Sequence, residues 1–334
     1  MSVTSREWHL AARPVGEPGP TDFEYVVTQV SEPGPGQILV RNDWLSVDPY
    51  MRGRMNDVES YIPPFGVGEV MTGGAVGTVL ASAAEEIPAG ATVLHFFGWR
   101  EYALMDASAA RIVDTALAPP QAYLGVLGTT GLTAYAGVTE IAPVRPGDVF
   151  FVSAAAGAVG SVAGQLARKL GAATVIGSAG GPDKVARLVT DYGFDAGIDY
   201  RLGDLPGQLA AAAPSGIDVY FDNVGGDHLA AAIGAMNRYG RIALCGAIGV
   251  YNAVHPEPGP ANLPLAIGKR LSLRGMIVTD HMDLLAEYVA QAAPWLRDGT
   301  LRADETILSG IENAVEAYFA MMRGANTGKM LVRL

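Results

Sequence analysis

A chain of 334 residues is longer than one hydrophobic core usually supports, so two domains are expected. Apolar residues make up 49% and charged residues 17%, the composition of a packed protein and not of a disordered one. With 23 basic against 34 acidic side chains the formal charge is −11, which argues against nucleic acid as a partner, and the single Cys245 excludes an internal disulfide and a four-thiolate zinc site.

The opening MSVTSREWHLAARP carries charges and no apolar core of the kind a signal peptide needs, and no run of roughly eighteen apolar residues occurs anywhere. A cytoplasmic protein with no membrane partner is therefore expected. Short strand-like runs separated by Gly and Pro follow at 23–30, 37–45, 74–81, 92–97 and 99–105, with little helical periodicity, and predict a small, mostly β domain over 1–125. Beyond residue 125 the pattern changes to strands alternating with helices. Strands are expected at 149–152, 174–177, 196–199, 217–221, 241–245 and 271–278, with helices at 161–170, from 182, and at 205–213, 227–236 and 280–297. Six strands with helical crossovers predict an α/β, doubly wound parallel sheet over 126–297. A helix at 312–323 and a strand at 329–334 complete the chain, and 298–334 is expected to return to the first domain.

One segment of this pattern carries chemistry. The apolar run Val149-Phe150-Phe151-Val152 breaks into Ala155-x-Gly157-x-x-Gly160 and re-emerges as a helix closed by Gly171, the arrangement of a dinucleotide phosphate turn. Gly157 would let the backbone approach a pyrophosphate and Gly160 would let the helix lie close to the sheet. An NAD site places Asp or Glu about twenty residues further on, to bond the ribose 2′-hydroxyl. Here the next strand ends in Ser178-Ala179-Gly180-Gly181 with Lys184 just beyond, a hydroxyl and an ammonium that suit a 2′-phosphate. Asp183 falls in the first turn of a helix beginning at Pro182, where an acid is ordinary. NADPH is the expected cofactor.

The motifs Val47-Asp48-Pro49-Tyr50-Met51-Arg52-Gly53, Leu127-Gly128-Thr129-Thr130-Gly131-Leu132-Thr133-Ala134-Tyr135, Phe221-Asp222-Asn223-Val224-Gly225-Gly226 and Cys245-Gly246-Ala247-Ile248-Gly249-Val250-Tyr251-Asn252, with the glycine turn, resemble the zinc-independent medium-chain dehydrogenase/reductases. Within them the likeness is to the double-bond reductases: prostaglandin reductases, plant alkenal reductases and bacterial curcumin reductases. It covers nearly the whole chain, with Thr129-Thr130 standing where many members have Met-Pro. The resemblance implies a GroES-like catalytic domain built from both chain ends, a Rossmann domain that holds NADPH, and a homodimer. It places the pyrophosphate on Ala156, Gly157, Ala158, Val159 and Gly160, and the 2′-phosphate end on Lys184 and Tyr200 beside Ser178. Asn223 would meet the ribose or adenine side. Cys245, Gly246, Ala247, Ile248 and Tyr251 would run beside the nicotinamide half, with Met276, Ile277 and Val278 near the carboxamide and Asn326 contributed by the C-terminal return.

The same resemblance sharpens the catalytic question, because the zinc enzymes of the superfamily need a Cys/His/Cys or Cys/His/acid shell. Gly68-Glu69-Val70 stands near their His-Glu position, and the five histidines show no ligand spacing, so no metal is expected. Polarising a carbonyl then falls to a hydrogen-bond donor, and Tyr251, which follows a sheet strand and opens the Pro-rich loop 252–264, is the candidate. The expected reaction is hydride transfer to the β-carbon of an α,β-unsaturated ketone or aldehyde, with Tyr251 bonding the carbonyl oxygen. Tyr50, Arg52 and Tyr61 would line the substrate, although a structural role for the Asp48-Pro49-Tyr50 turn fits the residues equally. Quinone reduction by the same metal-free site, and a non-catalytic NADPH-binding sensor, are the competing readings.

Overall fold

The computed structural model describes residues 2–255 and 258–334. The chain divides into two units. The first comprises the described residues up to Gly125 together with Glu305–Asn326 and Met330–Leu334; the second comprises Val126–Asp304 and Thr327–Lys329.

In the first unit β1 (Val3–Leu10) and β2 (Phe23–Val30) pair antiparallel. β3 (Gln37–Ser46), the short helix α1 (Met51–Arg54), β4 (Ala75–Ser82), β5 (Thr92–His95), β6 (Tyr102–Asp106) and β7 (Arg111–Ile112) follow, and β3 pairs with both β4 and β6. The inward side chains Ile38, Val40, Val79, Val93, Ala103 and Met105 make one core, and Leu10, Phe23, Leu45, Met51 and Trp99 belong to another. β1 has no counterpart in the expected elements. Its alternation is blurred because Ser5 and Glu7 point inward: Ser5 Oγ accepts the Tyr102 N–H, and Glu7 bonds the His9 ring. The strand expected at 99–105 starts only at Tyr102, since the buried Trp99 sits at φ +64° and breaks the extended run.

The second unit begins with α2 (Thr129–Ala136) and then alternates: β8 (Val149–Val152), α3 (Ala158–Lys169), β9 (Thr174–Ala179), α4 (Pro182–Thr190), β10 (Ala196–Asp199), α5 (Leu205–Ala212), β11 (Ile217–Asp222), α6 (Gly226–Ala235), β12 (Met236–Leu244), α7 (Leu265–Lys269), β13 (Ser272–Gly275) and α8 (Leu285–Arg297). Among the described residues the strands form a six-stranded parallel sheet in the order β10-β9-β8-β11-β12-β13, the doubly wound arrangement. Phe151, Ile176, Ile198, Tyr220 and Ile242 form its apolar centre. β13 stops at Gly275, so Met276, Ile277 and Val278 leave the sheet, and a 3₁₀ stretch, Val278–Leu284, precedes α8 where one continuous helix was expected.

The start of α2 depends on one small residue. A Cβ on Gly131 would stand 1.9 Å from the Val126 carbonyl oxygen and 2.3 Å from Tyr288 Oη, which itself donates to that carbonyl at 2.6 Å. Gly131→Ala is therefore expected to destabilise the protein by about 3 kcal/mol, read as a lower urea midpoint.

After α8 the chain continues through β14 (Glu305–Ser309), α9 (Ala314–Met322) and β15 (Lys329–Arg333). β15 pairs antiparallel with Trp44–Ser46 of β3. The boundary differs from the expected residue 298. Residues 298–304 stay with the second unit because Gln165 bonds both polar backbone groups of Arg302, and Asp304 accepts from Arg187 and Tyr192. Residues 327–329 do so because Gly328 N–H donates to the Ala156 carbonyl at 2.7 Å.

Candidate functional site

The glycine turn is built as the chemistry of a phosphate site requires. Ala154 adopts φ +50°, its carbonyl takes the Gly157 N–H at 2.9 Å, and a Cβ on Gly160 would lie 2.4 Å from the same carbonyl oxygen. Only glycine fits there. Gly157 caps α3 without a side-chain bond, and a helix N-terminus of this kind presents N–H groups and a positive dipole end to an anion. Ala156, Gly157, Ala158, Val159 and Gly160 all lie on this one turn.

The neighbouring strand ends supply cations. Tyr200 and Arg201 arrive from the end of β10, and a Cβ on Gly180 would lie 2.8 Å from both Tyr200 Oη and Arg201 Nε. Burial first, and then the Arg201 charge, lowers the Lys184 pKa, so the ammonium and the guanidinium stand close together. Two like charges drawn together favour an anion over either alone. Asp199, at the end of β10, is occupied: its Oδ1 accepts the Gly181 N–H at 2.9 Å and the Arg201 N–H at 3.0 Å. Ser178 Oγ is fully buried with no hydrogen-bond partner among the described residues. Arg201 was not among the residues expected from sequence. Its position directly after Tyr200, at the end of the adjacent parallel strand, is the signal that would have found it. The Tyr200 ring packs edge-on against His228 at 5.3 Å, which orients the hydroxyl end.

A third group, at the end of β11, ties the rest together. Asp222 is 1% exposed, and its Oδ1 accepts from Tyr220 Oη (2.7 Å), Ser153 Oγ (3.2 Å) and the N–H groups of Val224 (3.0 Å) and Gly225 (2.9 Å). Ser153, Tyr220 and Asp222 are structural supports that the sequence pattern did not single out. Asn223 is braced against the glycine turn, its Nδ2 donating to the Ser153 carbonyl at 2.8 Å. The Asp222 carbonyl accepts from Cys245 and Gly246, the Asn223 carbonyl from Ile248, and the Leu244 carbonyl from Met276. The segment from Cys245 to Tyr251 is thus stitched to the same strand ends.

Within that segment the Tyr251 hydroxyl accepts the Ala247 N–H at 3.2 Å, which leaves its own proton unspent. Burial raises its pKa, so the group stays a donor through the neutral range. Burial also pushes the Cys245 thiol up to about 12, aided by Asp222, which removes it as a thiolate. Of the expected loop 252–264, Pro256 and Glu257 lie outside the described residues. Ile277 and Val278 lie just past Met276 in the turn after β13. Asn326 belongs to the first unit.

In the first unit the expected lining residues separate. Arg52 is 3% exposed and committed elsewhere: Nη2 donates to the Gly16 carbonyl at 2.8 Å and Nη1 to Asn56 Oδ1 at 2.8 Å. These bonds tie the short helix to the loop at Gly16. The guanidinium beside Tyr50 is that of Arg54, two residues on, where a short helical turn sends the two arginine side chains apart. Tyr50 stacks on Phe96 with centroids 6.4 Å apart, and Tyr61 is 58% exposed.

Two families match consecutive parts of the chain: one described as the N-terminal domain of oxidoreductase over residues 6–113, the other as zinc-binding dehydrogenase over residues 158–296. Zinc does not fit the residues present. No three His, Cys, Asp or Glu side chains converge among the described residues, and the one cysteine is a half-buried thiol whose pKa is raised. The chain is 38% identical to the NADPH-dependent curcumin reductase of Escherichia coli, over 99% of this chain and 97% of that protein. It is 38% identical to the NADP-dependent 2-alkenal reductase of Nicotiana tabacum (99% and 97%) and 36% identical to prostaglandin reductase 1 of Sus scrofa (99% and 99%). The crystal structure of CurA from Vibrio vulnificus in complex with NADPH superposes with a TM-score of 0.94 at 39% identity, over 98% of each chain. The Escherichia coli quinone oxidoreductase complexed with NADPH gives a TM-score of 0.78 at 23% identity, over 99% of this chain and all of that one, a likeness of fold alone.

Proposed function

Since the chain belongs to the zinc-independent medium-chain dehydrogenase/reductases, in their double-bond reductase branch, we propose that it is an NADPH-dependent reductase of the C=C bond of α,β-unsaturated ketones and aldehydes. The observation that carries this reading is the Tyr251 hydroxyl, held by the Ala247 N–H with its proton available, on a segment bonded to the strand ends that bear the phosphate turn. The residues present fit NADPH: the α3 N-terminus and Gly157–Gly160 for the pyrophosphate, Lys184, Arg201, Tyr200 and Ser178 for the 2′-phosphate end, and Asn223 and Cys245–Ile248 for the remainder. Bound NADPH supplies the hydride that reaches the β-carbon.

The protein's own part is electrostatic. Tyr251 donates to the carbonyl oxygen as negative charge grows on it, a contribution of about 3 kcal/mol for a well-placed donor. The α-carbon then takes a proton from Tyr251 or from water, which completes the saturated ketone or aldehyde. No helix among the described residues is long and apolar enough to cross a membrane. The reading includes a cytoplasmic location and a homodimer, the latter supported by β13, which ends the sheet with one side unpaired among the described residues, a place where a second copy can add strands.

The test is NADPH oxidation with a linear enal, an aryl enone and a quinone, each repeated with NADH. Enone turnover to the saturated product with strong NADPH preference is expected. Tight NADPH binding without turnover of any of them would leave the sensor reading instead.

A further inference from the structure

We propose that Asp304 is a positioning residue for NADPH, holding Lys184 in register with the phosphate turn by tethering α4; this rests on the placement of the 2′-phosphate at Lys184. The residues concerned all belong to the second unit.

Asp304 meets the cofactor site by two routes. Its side chain reaches α4 and the residues just after it: Oδ2 accepts from Arg187 Nη2 at 2.8 Å and from Tyr192 Oη at 2.7 Å. Tyr192 is 5% exposed, and burial, then the bond to Asp304, raises its pKa, so the phenol stays a donor. Arg187 stands three residues after Lys184, a spacing that puts the two side chains on neighbouring turns of one face of α4. The main chain of Asp304 leads to the phosphate turn. Its carbonyl accepts the Lys329 N–H at 2.8 Å, and the residue before, Gly328, donates its own N–H to the Ala156 carbonyl at 2.7 Å. That bond fixes the peptide plane between Ala156 and Gly157, because a carbonyl and the N–H that follows it turn together. Gly328, at φ +67°, allows the close approach: a Cβ there would lie 1.8 Å from the Asp304 carbonyl oxygen.

The tether matters because α4 has little else to hold it. Of its nine residues only Leu188 is buried, so apolar packing on the sheet contributes little and polar bonds carry more of the hold. Asp191, the other carboxylate on Arg187, lies at the end of α4 itself, where its bond to Nε at 3.0 Å orients the guanidinium without tying the helix to another segment. Asp304, by contrast, is anchored outside α4. Arg302 Nε donates to its Oδ1 at 3.1 Å, and Gln165 on α3 accepts the Arg302 N–H at 2.8 Å and donates to the Arg302 carbonyl at 2.9 Å. The segment holding α4 is thus fixed to the helix that begins at the phosphate turn. By charge alone an acid tied to α4 works against a bound phosphate, so the sign of its effect separates positioning from electrostatics.

The experiment measures NADPH and NADH dissociation constants by fluorescence titration for wild type, Asp304→Ala, Asp304→Asn, Lys184→Ala and the Lys184→Ala/Asp304→Asn pair, with urea midpoints taken without cofactor. Asp304→Ala should weaken NADPH about tenfold and Asp304→Asn about threefold, with NADH changed less than about twofold. The bond from Lys329 to the main chain of residue 304 persists in both, so the pyrophosphate turn that serves NADH is kept. Asn retains the size and one acceptor, and it reports on the tether even where the alanine variant fails to fold. Loss of charge alone predicts tighter NADPH, and a purely structural role predicts a lower urea midpoint with the ratio of NADPH to NADH affinity unchanged; either result overturns the proposal. With Lys184 already alanine, Asp304→Asn should leave that ratio where it is, and a further fall of about threefold overturns the claim that Asp304 acts through Lys184. A ratio that does not fall in Lys184→Ala overturns the placement of the 2′-phosphate, and the proposal with it.

Discussion

Replacing Lys184 and Arg201 together by alanine is expected to weaken NADPH binding about hundredfold while changing NADH binding less than about threefold. The two cations stand together at the Gly180 corner, where burial and mutual repulsion already lower the Lys184 pKa. An anion relieves that repulsion, and only NADPH carries one at this end. Charge-assisted hydrogen bonds contribute roughly 1.5–3 kcal/mol each, and the exposure of Arg201 places the pair near the lower part of the combined range. Asp199 should not repel the phosphate strongly, because its Oδ1 is already engaged by two backbone N–H groups. Fluorescence titration of both cofactors measures the effect, and raising the ionic strength should shrink the gap between wild type and variant. Equal losses for NADPH and NADH would show that the two residues support the loop and not the phosphate.

Tyr251→Phe is expected to lower kcat about hundredfold with NADPH affinity changed by no more than about twofold. The ring stays, so packing against the segment from Cys245 persists, while the donor to the carbonyl oxygen is lost. One cost falls on the protein itself, since the Ala247 N–H loses its acceptor at 3.2 Å. Single-turnover kinetics at saturating NADPH separate the chemical step from binding. The sign of the pH dependence follows from the raised pKa. A hydroxyl whose pKa lies above its ordinary value keeps its proton as pH rises through neutrality, so Tyr251 should impose no loss of rate there, and any loss it causes belongs to strongly alkaline pH. A kcat equal to wild type in the variant would remove Tyr251 from the mechanism.

Residues that act through local chain geometry were legible before any coordinates. Gly160 is needed because it lies six residues from Ala154, whose carbonyl it faces, and the strand-turn-helix that sets this distance is contained in one short stretch. The missing acid after β9, the Lys184 that follows it, and the alternation of strands with helices are likewise local patterns, and they sufficed for a doubly wound parallel sheet and for NADPH. What sequence did not reveal depends on residues far apart in the chain. Arg201 faces Gly180 only because β10 lies beside β9; Ser153 and Asp222 meet only because β8 lies beside β11. Arg52 and Arg54 are two residues apart in one motif, and no property of the motif distinguishes them. The turn of α1 sends Arg52 to the Gly16 carbonyl and Arg54 to Tyr50, since each guanidinium goes where distant backbone carbonyls can satisfy its fixed donors. Sequence alone thus determined the fold class and the cofactor, because spacing along one strand, turn or helix encodes them. The tertiary structure decided which side chains are spent on holding the backbone and which are left for a ligand, because that depends on hydrogen-bond partners contributed by other parts of the chain.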